Sequence, residues 1–296
     1  MSQVTIRSMF FRGLGVLAIV VALIYLLAPA LWMVKSAFSP DLDLRAVPPP
    51  LFPRDPTFAN FRIIFQLPGY DEKIFGDNLQ MRFFSKALTN SMIIASFTTL
   101  IATTLGAVAA YSISRFMRSE TRRWVMFGLL MSRMLPVISV LIPIYMMLLM
   151  AGLLDTITGL VLVYSGLLLP FAIWILEAFF RRFPRELEEA ALVDGCSSFG
   201  IFRKVVLPLS WNGLFAAGLF VFISTWADFV VGFIMTNTEH AYPISVVIAR
   251  NMSSYREPDW GVLNASGAAA AIVPVILAYV LRGLVARGRL AGAVKG

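Results

Sequence analysis

Residues Arg181–Ser210 read RRFPRELEEAALVDGCSSFGIFRKVVLPLS, a densely charged stretch between two long apolar runs. A polar segment held between two membrane spans stands in water, where another protein can reach it. Its local grammar predicts helix, break, helix. Pro184 suits a helix start, where its missing N–H is not needed. Glu186, Glu188 and Glu189 sit near the positive end of the helix dipole, and Ala190 and Ala191 are strong helix formers. Gly195 ends the element, because glycine accepts the left-handed conformation of a helix end. Ser197 or Ser198 caps a second helix, in which Phe199, Phe202 and Val206 share a face. Pro208 marks the next element. The expected unit is a short L-shaped helix pair with an acidic edge and an apolar edge.

The rest of the composition explains why this stretch stands out. The 296-residue chain is 58% hydrophobic and 14% charged, against about 25% charged residues in soluble domains. Several runs reach the ~20 apolar residues that a bilayer-spanning helix needs. The alternating ~10-residue segments of a membrane β-barrel are absent. The fold class expected is therefore all-α and polytopic. The net charge of +8 reads as a topology signal, because the basic residues cluster in short loops between spans; a nucleic-acid partner is not expected. Cys196 and His240 are the single cysteine and histidine. An intrachain disulfide, a multi-cysteine or histidine-based metal site and a polar catalytic cluster are thus disfavoured.

Outward from the central loop, the chain divides as follows. Residues 1–12 form a basic cytoplasmic tail, and 13–34 a retained first span. Residues 35–86 form a long polar loop of nearly balanced charge, readable as extracytoplasmic. Phe58, Phe61, Ile64 and Phe65 suggest an amphipathic turn in it. That loop is either a surface for a partner protein outside the membrane or a linker packed on the helix ends. Residues 87–286 form the transmembrane core, with spans at 87–114, 124–151, 158–180, 211–235 and 262–285 and the central loop at 181–210. Pro136 and Pro143 are expected to kink the third span. Residues 287–296 form a cytoplasmic tail. Six spans with both ends inside place Arg or Lys in every cytoplasmic segment. Trp124 and Trp211 then sit at inner ends, and Trp32 and Trp260 at outer ends.

No lysine follows a glycine, so the G-K-[ST] phosphate loop is absent. Any ATP-driven step therefore needs another subunit. Arg133 is the basic residue deepest in an expected span, and a charge there is costly unless paired or hydrated. Asp228, in Thr225-Trp226-Ala227-Asp228-Phe229, is its natural acidic counterpart. Arg133, Trp226 and Asp228 either line a solute path, with the Trp226 ring suited to a sugar, or serve as structural contacts.

Glu189-Ala190-Ala191, three residues, Gly195, nine residues and Val205-Val206-Leu207-Pro208 resemble the EAA loop of permease subunits in binding-protein-dependent ABC importers. That pattern reads EAA, three residues, G, nine residues, I-x-L-P; Val205 replaces Ile and keeps its β-branched shape. The ending Gly292-Ala293-Val294-Lys295-Gly296 resembles the tail of the maltose-type permease subunit. Trp226-Ala227-Asp228-Phe229 resembles a Trp-Asn-Asp/Glu-Phe stretch of sugar permeases, with Ala227 in place of Asn. The resemblance implies a type I importer permease for a sugar or sugar-like solute in a bacterial inner membrane. It further implies a second homologous permease, two ATPase subunits carrying ATP and Mg, a solute-binding protein outside, and surrounding lipid. This chain would hold no cofactor and no catalytic residue. The loop would be the coupling helix, with Glu188, Glu189, Ala190, Ala191, Asp194, Gly195, Phe199 and Phe202 as contacts, and Lys295 and Gly296 would reach between the ATPases. An importer of the same architecture for a polyol or glycerol phosphate, or an ion-driven secondary transporter, are the rival readings.

Overall fold

The computed structural model describes residues 3–68, 82–252 and 259–293, with side chains described for 13–68, 82–252 and 259–280. Lys295 and Gly296 lie outside the described residues. No strand occurs among the described residues. The chain divides into two compact units, Met1–Phe84 with Ile248–Ile272, and Ser85–Val247 with Val273–Gly296.

In the first unit, α1 (Gln3–Ala37) carries, within Gly13–Ala37, an 18-residue window of mean hydropathy 2.7, none of that window buried inside the protein. So apolar a helix with no protein cover belongs in lipid. Its C-terminal end is anchored. Ser36, Ala37 and Ser39 are buried, and Asn60 Nδ2 donates to the carbonyls of Ala37 (2.9 Å) and Ser39 (3.1 Å). Asn60 lies on α3 (Ala59–Phe65), which follows the short α2 (Asp41–Arg45). Phe38, Phe58 and Phe61 cluster around this anchor. The amphipathic turn expected around Phe58–Phe65 is thus a helix, with Ile63 and Ile64 buried beneath it.

The second unit begins at Ser85, one residue into α4 (Phe84–Phe116). The single span expected over 124–151 is instead two helices, α5 (Ser119–Met131) and α6 (Val137–Met150). The break falls at Ser132–Pro136, where Pro136 disfavours helical geometry in the residue before it; Pro143 stays inside α6. Next come α7 (Ile157–Arg181), α8 (Arg185–Val193) and α9 (Ser198–Leu209), then α10 (Trp211–Ala227) at 77° to α9. The span expected over 211–235 is also broken, at Asp228 and Phe229, before α11 (Val230–Met235). Then follow α12 (Ile244–Met252) and α13 (Trp260–Ala293), which run on past the boundary between the units.

Small residues let these helices meet closely. A Cβ at Gly106 of α4 would lie 3.0 Å from Ala172 Cβ of α7, and one at Gly213 of α10 would lie 2.6 Å from the Phe179 ring. Such close approach drives helix association where the hydrophobic effect is absent. Among the described residues, four helical segments are long and apolar enough to cross a membrane, Gly13–Ala37, Phe84–Phe116, Ile157–Arg181 and Trp260–Val280. The α9–α10 pair makes a fifth if the bend is read within one span.

Candidate functional site

The stretch Arg181–Ser210 folds as two helices set at the end of α4 and α7. Pro184 takes an extended conformation just before α8, and Glu186 and Glu188 fill its first turn. Gly195 has φ +81° with nothing near its missing Cβ. The left-handed backbone, not lack of space, requires glycine there. The Gly195 N–H donates to Leu192 O and the Cys196 N–H to Ala191 O, each at 3.0 Å, the pair of bonds that closes a Schellman end. Ser197 Oγ then accepts from Gly200 N at 3.2 Å and starts α9. Within α9, Phe202–Val206 forms a π-helical turn, and the Leu207 N–H reaches back to Phe202 O. Pro208 follows at once, a residue with no N–H to continue the regular ladder.

One side of this elbow is locked to its own chain. Arg115 Nη2 lies 2.6 Å from Glu188 Oε1, and Arg115 Nε donates to the same oxygen at 2.7 Å. Tyr111 OH donates to Glu188 Oε2 at 2.9 Å, and Arg115 Nη2 also donates to Phe183 O at 3.1 Å. The Arg115 and Glu188 side chains are only 8% and 13% exposed. A two-pronged, charge-assisted grip of this kind is stronger than a neutral hydrogen bond. Below it, Ala191, Ile201, Phe202 and Val206 pack with Tyr111, Leu176 and Phe180 in one apolar core. The Tyr111 and Phe202 rings lie 4.9 Å apart.

The other side is free. Glu186, Glu189, Ala190, Asp194, Gly195 and Ser198 are exposed. Leu192, Val193 and Phe199 stand out at 60%, 87% and 67% exposure. Apolar side chains this exposed, beside the carboxylates of Glu189 and Asp194, have the character of a contact surface. The residues expected to face a partner therefore divide. Glu189, Ala190, Asp194, Gly195 and Phe199 lie on the free face. Glu188, Ala191 and Phe202 do not; they are spent on the chain's own core and ion pair. Arg115 and Tyr111, which hold the elbow, carried no sequence signal beyond a basic loop and an aromatic in a span.

Arg133 and Asp228, expected as counterparts, have different partners. Arg133 sits in the break between α5 and α6. Its Nη1 donates to Leu167 O at 2.6 Å, and its guanidinium lies 4.7 Å from the centre of the Phe171 ring. The ring face and the carbonyl together solvate a cation held in an apolar setting. A groove of about 480 Å³ opens beside it, lined in part by Ser132, Val140, Ile144 and Pro170. Asp228 Oδ1 accepts from Tyr164 OH and from Val231 N, both at 2.9 Å. Its backbone carbonyl accepts from Ser245 Oγ at 2.7 Å. Asp228 thus caps α11 and pins the break to α7. Trp226 is 6% exposed and stacks on Phe222, with centroids 5.9 Å apart. Its ring is covered by the protein's own side chains, the structural-contact alternative of the sequence reading. Among the described residues no group of three or more His, Cys, Asp or Glu is placed to hold a metal ion.

Residues 102–289 match the family model described as binding-protein-dependent transport system inner membrane component. The chain is 36% identical to the trehalose transport system permease protein SugB of Mycobacterium tuberculosis, over 92% of this chain and 93% of that one. It is 30% identical to the diacetylchitobiose uptake system permease protein DasC of Streptomyces coelicolor, over 98% and 99% of the two chains. It is 29% identical to the trehalose/maltose transport system permease protein MalG of Thermococcus litoralis, over 96% and 97%. Its fold matches the crystal structure of a bacterial ABC transporter involved in the import of alginate, with a TM-score of 0.75 and 18% identity over 94% of this chain and 97% of that one. With the family model spanning the core helices and relatives aligned nearly end to end, this chain belongs to the binding-protein-dependent transport system inner membrane components, the multi-pass permeases of ABC importers.

Proposed function

We propose that this chain is one transmembrane subunit of an ATP-driven importer for a sugar or sugar-like solute, in a bacterial inner membrane. The relatives named for trehalose, diacetylchitobiose and trehalose/maltose support the solute class. The observation that carries the coupling role is the two-sided elbow. Its exposed face, with Glu189, Asp194, Val193 and Phe199, is the contact for an ATPase subunit. Its inner face, through Glu188, Arg115 and Tyr111, is bolted to α4. Force applied to the elbow therefore reaches a membrane helix without passing through a flexible linker.

On this reading the six crossings are α1, α4, α5–α6, α7, α10–α11 and α13, with both termini and the elbow cytoplasmic. A second homologous permease completes the path. Two ATPase subunits bind and hydrolyse ATP with Mg, and this chain is non-catalytic and holds no cofactor. A solute-binding protein docks outside, and Lys295 and Gly296 reach the ATPases. Arg133 and Asp228 act first as braces of the two broken spans; Arg133 also borders a groove and is the better candidate to meet solute.

The test is reconstitution of the complete transporter in proteoliposomes, with uptake of radiolabelled disaccharides and ATP hydrolysis measured together. Glu189→Lys and Gly195→Asp should abolish binding-protein-stimulated hydrolysis and uptake while the subunit stays in the membrane. Normal uptake by both variants overturns the coupling role. Uptake that persists without ATP and collapses with an ionophore returns the case to an ion-driven transporter.

A further inference from the structure

A groove of about 460 Å³ runs between α5 and α7, and none of the elbow's exposed residues lines it. On α5 it is lined by Ser119, Arg122, Arg123, Met126, Phe127 and Leu130. These positions recur every three or four residues and so share one helix face. They also change character along the axis. The first turn is polar and cationic, and the last two turns are apolar. On α7 the lining residues Trp174, Glu177, Ala178 and Arg181 do the same in reverse order. The two helices are packed neighbours and run antiparallel: Arg122 meets Glu177, and Arg133, just past the end of α5, reaches back to Leu167 O. Arg181 therefore lies at the Ser119 end and Trp174 at the Leu130 end. The α5 lining spans about 16 Å along the axis, at 1.5 Å per residue. That is close to one leaflet's share of a hydrocarbon core about 30 Å thick.

Charge at the polar end is unbalanced. Glu177 is the one carboxylate in the lining, and its Oε1 lies 3.7 Å from Arg122 Nε. That pairing leaves Arg123 and Arg181, both exposed and without an ion pair among the described residues. The apolar end offers Phe127 at 49% exposure, Trp174 at 46% and Leu130 at 37%. The groove thus presents two guanidinium groups and a hydroxyl at its mouth, and aromatic and aliphatic walls along its length. Guanidinium forks suit the paired oxygens of a phosphate, and basic pockets between spans at the membrane surface suit anionic headgroups.

We propose that this groove binds an anionic phospholipid, with the phosphodiester on Arg123, Arg181 and Ser119 and an acyl chain along Phe127, Leu130 and Trp174. The site is independent of the solute transported and of which subunit drives it. It gives α5 a fixed lipid partner beside the break at Ser132–Pro136.

The test uses the purified transporter and native mass spectrometry, with phosphatidylglycerol and phosphatidylcholine of identical chains. Wild type should retain phosphatidylglycerol at least about tenfold over phosphatidylcholine, the discrimination expected of two surface arginines. An R123Q/R181Q variant should lose that preference at an unchanged melting temperature, since both side chains are exposed. Equal retention of the two lipids by wild type, or an undiminished preference in the variant, overturns the proposal. Displacement of phosphatidylglycerol by millimolar inorganic phosphate makes this a free-phosphate site and overturns the lipid assignment. A photoreactive phenylalanine placed at position 127 should capture lipid. Capture of the second permease or another copy of this chain instead shows a protein interface and overturns it too.

Discussion

Glu188 stands in the middle of a motif whose other exposed members face outward, yet its carboxylate points in. Both of its oxygens are used, one by Arg115 and one by Tyr111. Removing one partner of a buried pair strands the other charge, which costs about 3 kcal/mol or more. Arg115→Ala and Glu188→Ala should therefore lower thermal stability of the purified subunit. They should also let the ATPase turn over without transport. The exchange Arg115→Glu with Glu188→Arg should recover part of both losses, because it restores the pair with its geometry altered. Stable, fully coupled single variants would remove the tether from the account. Gly195 makes a separate demand. At φ +81° a side chain costs about 1–2 kcal/mol, so Gly195→Ala should speed amide exchange at Gly195 and Cys196, the two donors of the helix end. Open space at its Cβ position means the effect arises from the backbone alone, and Gly195→Asn should be milder than Gly195→Ala.

At the level of helices, small residues and caps decide the outcome. Gly213→Ala drives a methyl group into the Phe179 ring, 2.6 Å from its nearest atom. Overpacking of that kind costs about 1–3 kcal/mol, and the α7–α10 contact should loosen accordingly, read as a lower melting temperature in detergent. Asp259 begins α13, with Oδ1 accepting from Val262 N at 3.0 Å. Burial first, and the Asp41 charge second, raise its carboxyl above the ordinary carboxylate range against the pull of that bond. A raised carboxyl contributes stability below the ordinary carboxylate pKa and loses it as pH rises through the raised value. Trp260 fluorescence should therefore report a looser α13 start on the alkaline side of that window, and Asp259→Asn should flatten the profile. Much of this helical layout was legible from residue patterns. Apolar run length gave α4 and α7 to within a few residues, and the apolar middles of α1 and α13, whose helices begin earlier (Gln3) and end later (Ala293) than the runs. Gly195 and Ser197 gave the elbow. The breaks at Ser132–Pro136 and at Asp228 were not legible as breaks, because a proline in a membrane helix reads equally as a kink. Asp228 reads as a charge until its bonds to Tyr164 and Val231 show it capping a helix.

Across the whole chain, the candidate site was half visible in advance. Spacing found the elbow, but spacing cannot say which side of a nine-residue helix faces in. That is decided by Tyr111 and Arg115, more than seventy positions earlier. Sequence likewise left Trp226 open between a solute path and a structural contact, and its stacking on Phe222 is a long-range packing fact that no motif carries. Topology gives a test at this scale. In a Cys196→Ser background, Val193→Cys should react with impermeant maleimide only from the cytoplasmic side, and Asn237→Cys only from the opposite side. Labelling of both from one face would reverse the topology proposed here, and coupling through the elbow with it.

Cys196 follows Gly195 directly, half-buried at the elbow. It is the chain's only thiol. A natural reporter is thus already installed at the hinge between α8 and α9. One spin label or fluorophore would sit there without removing any other cysteine from this subunit. Its reactivity should fall when an ATPase covers the neighbouring Val193 and Asp194. Nucleotide-driven changes could then be timed on the unmutated polypeptide, and the order of docking and helix movement read directly.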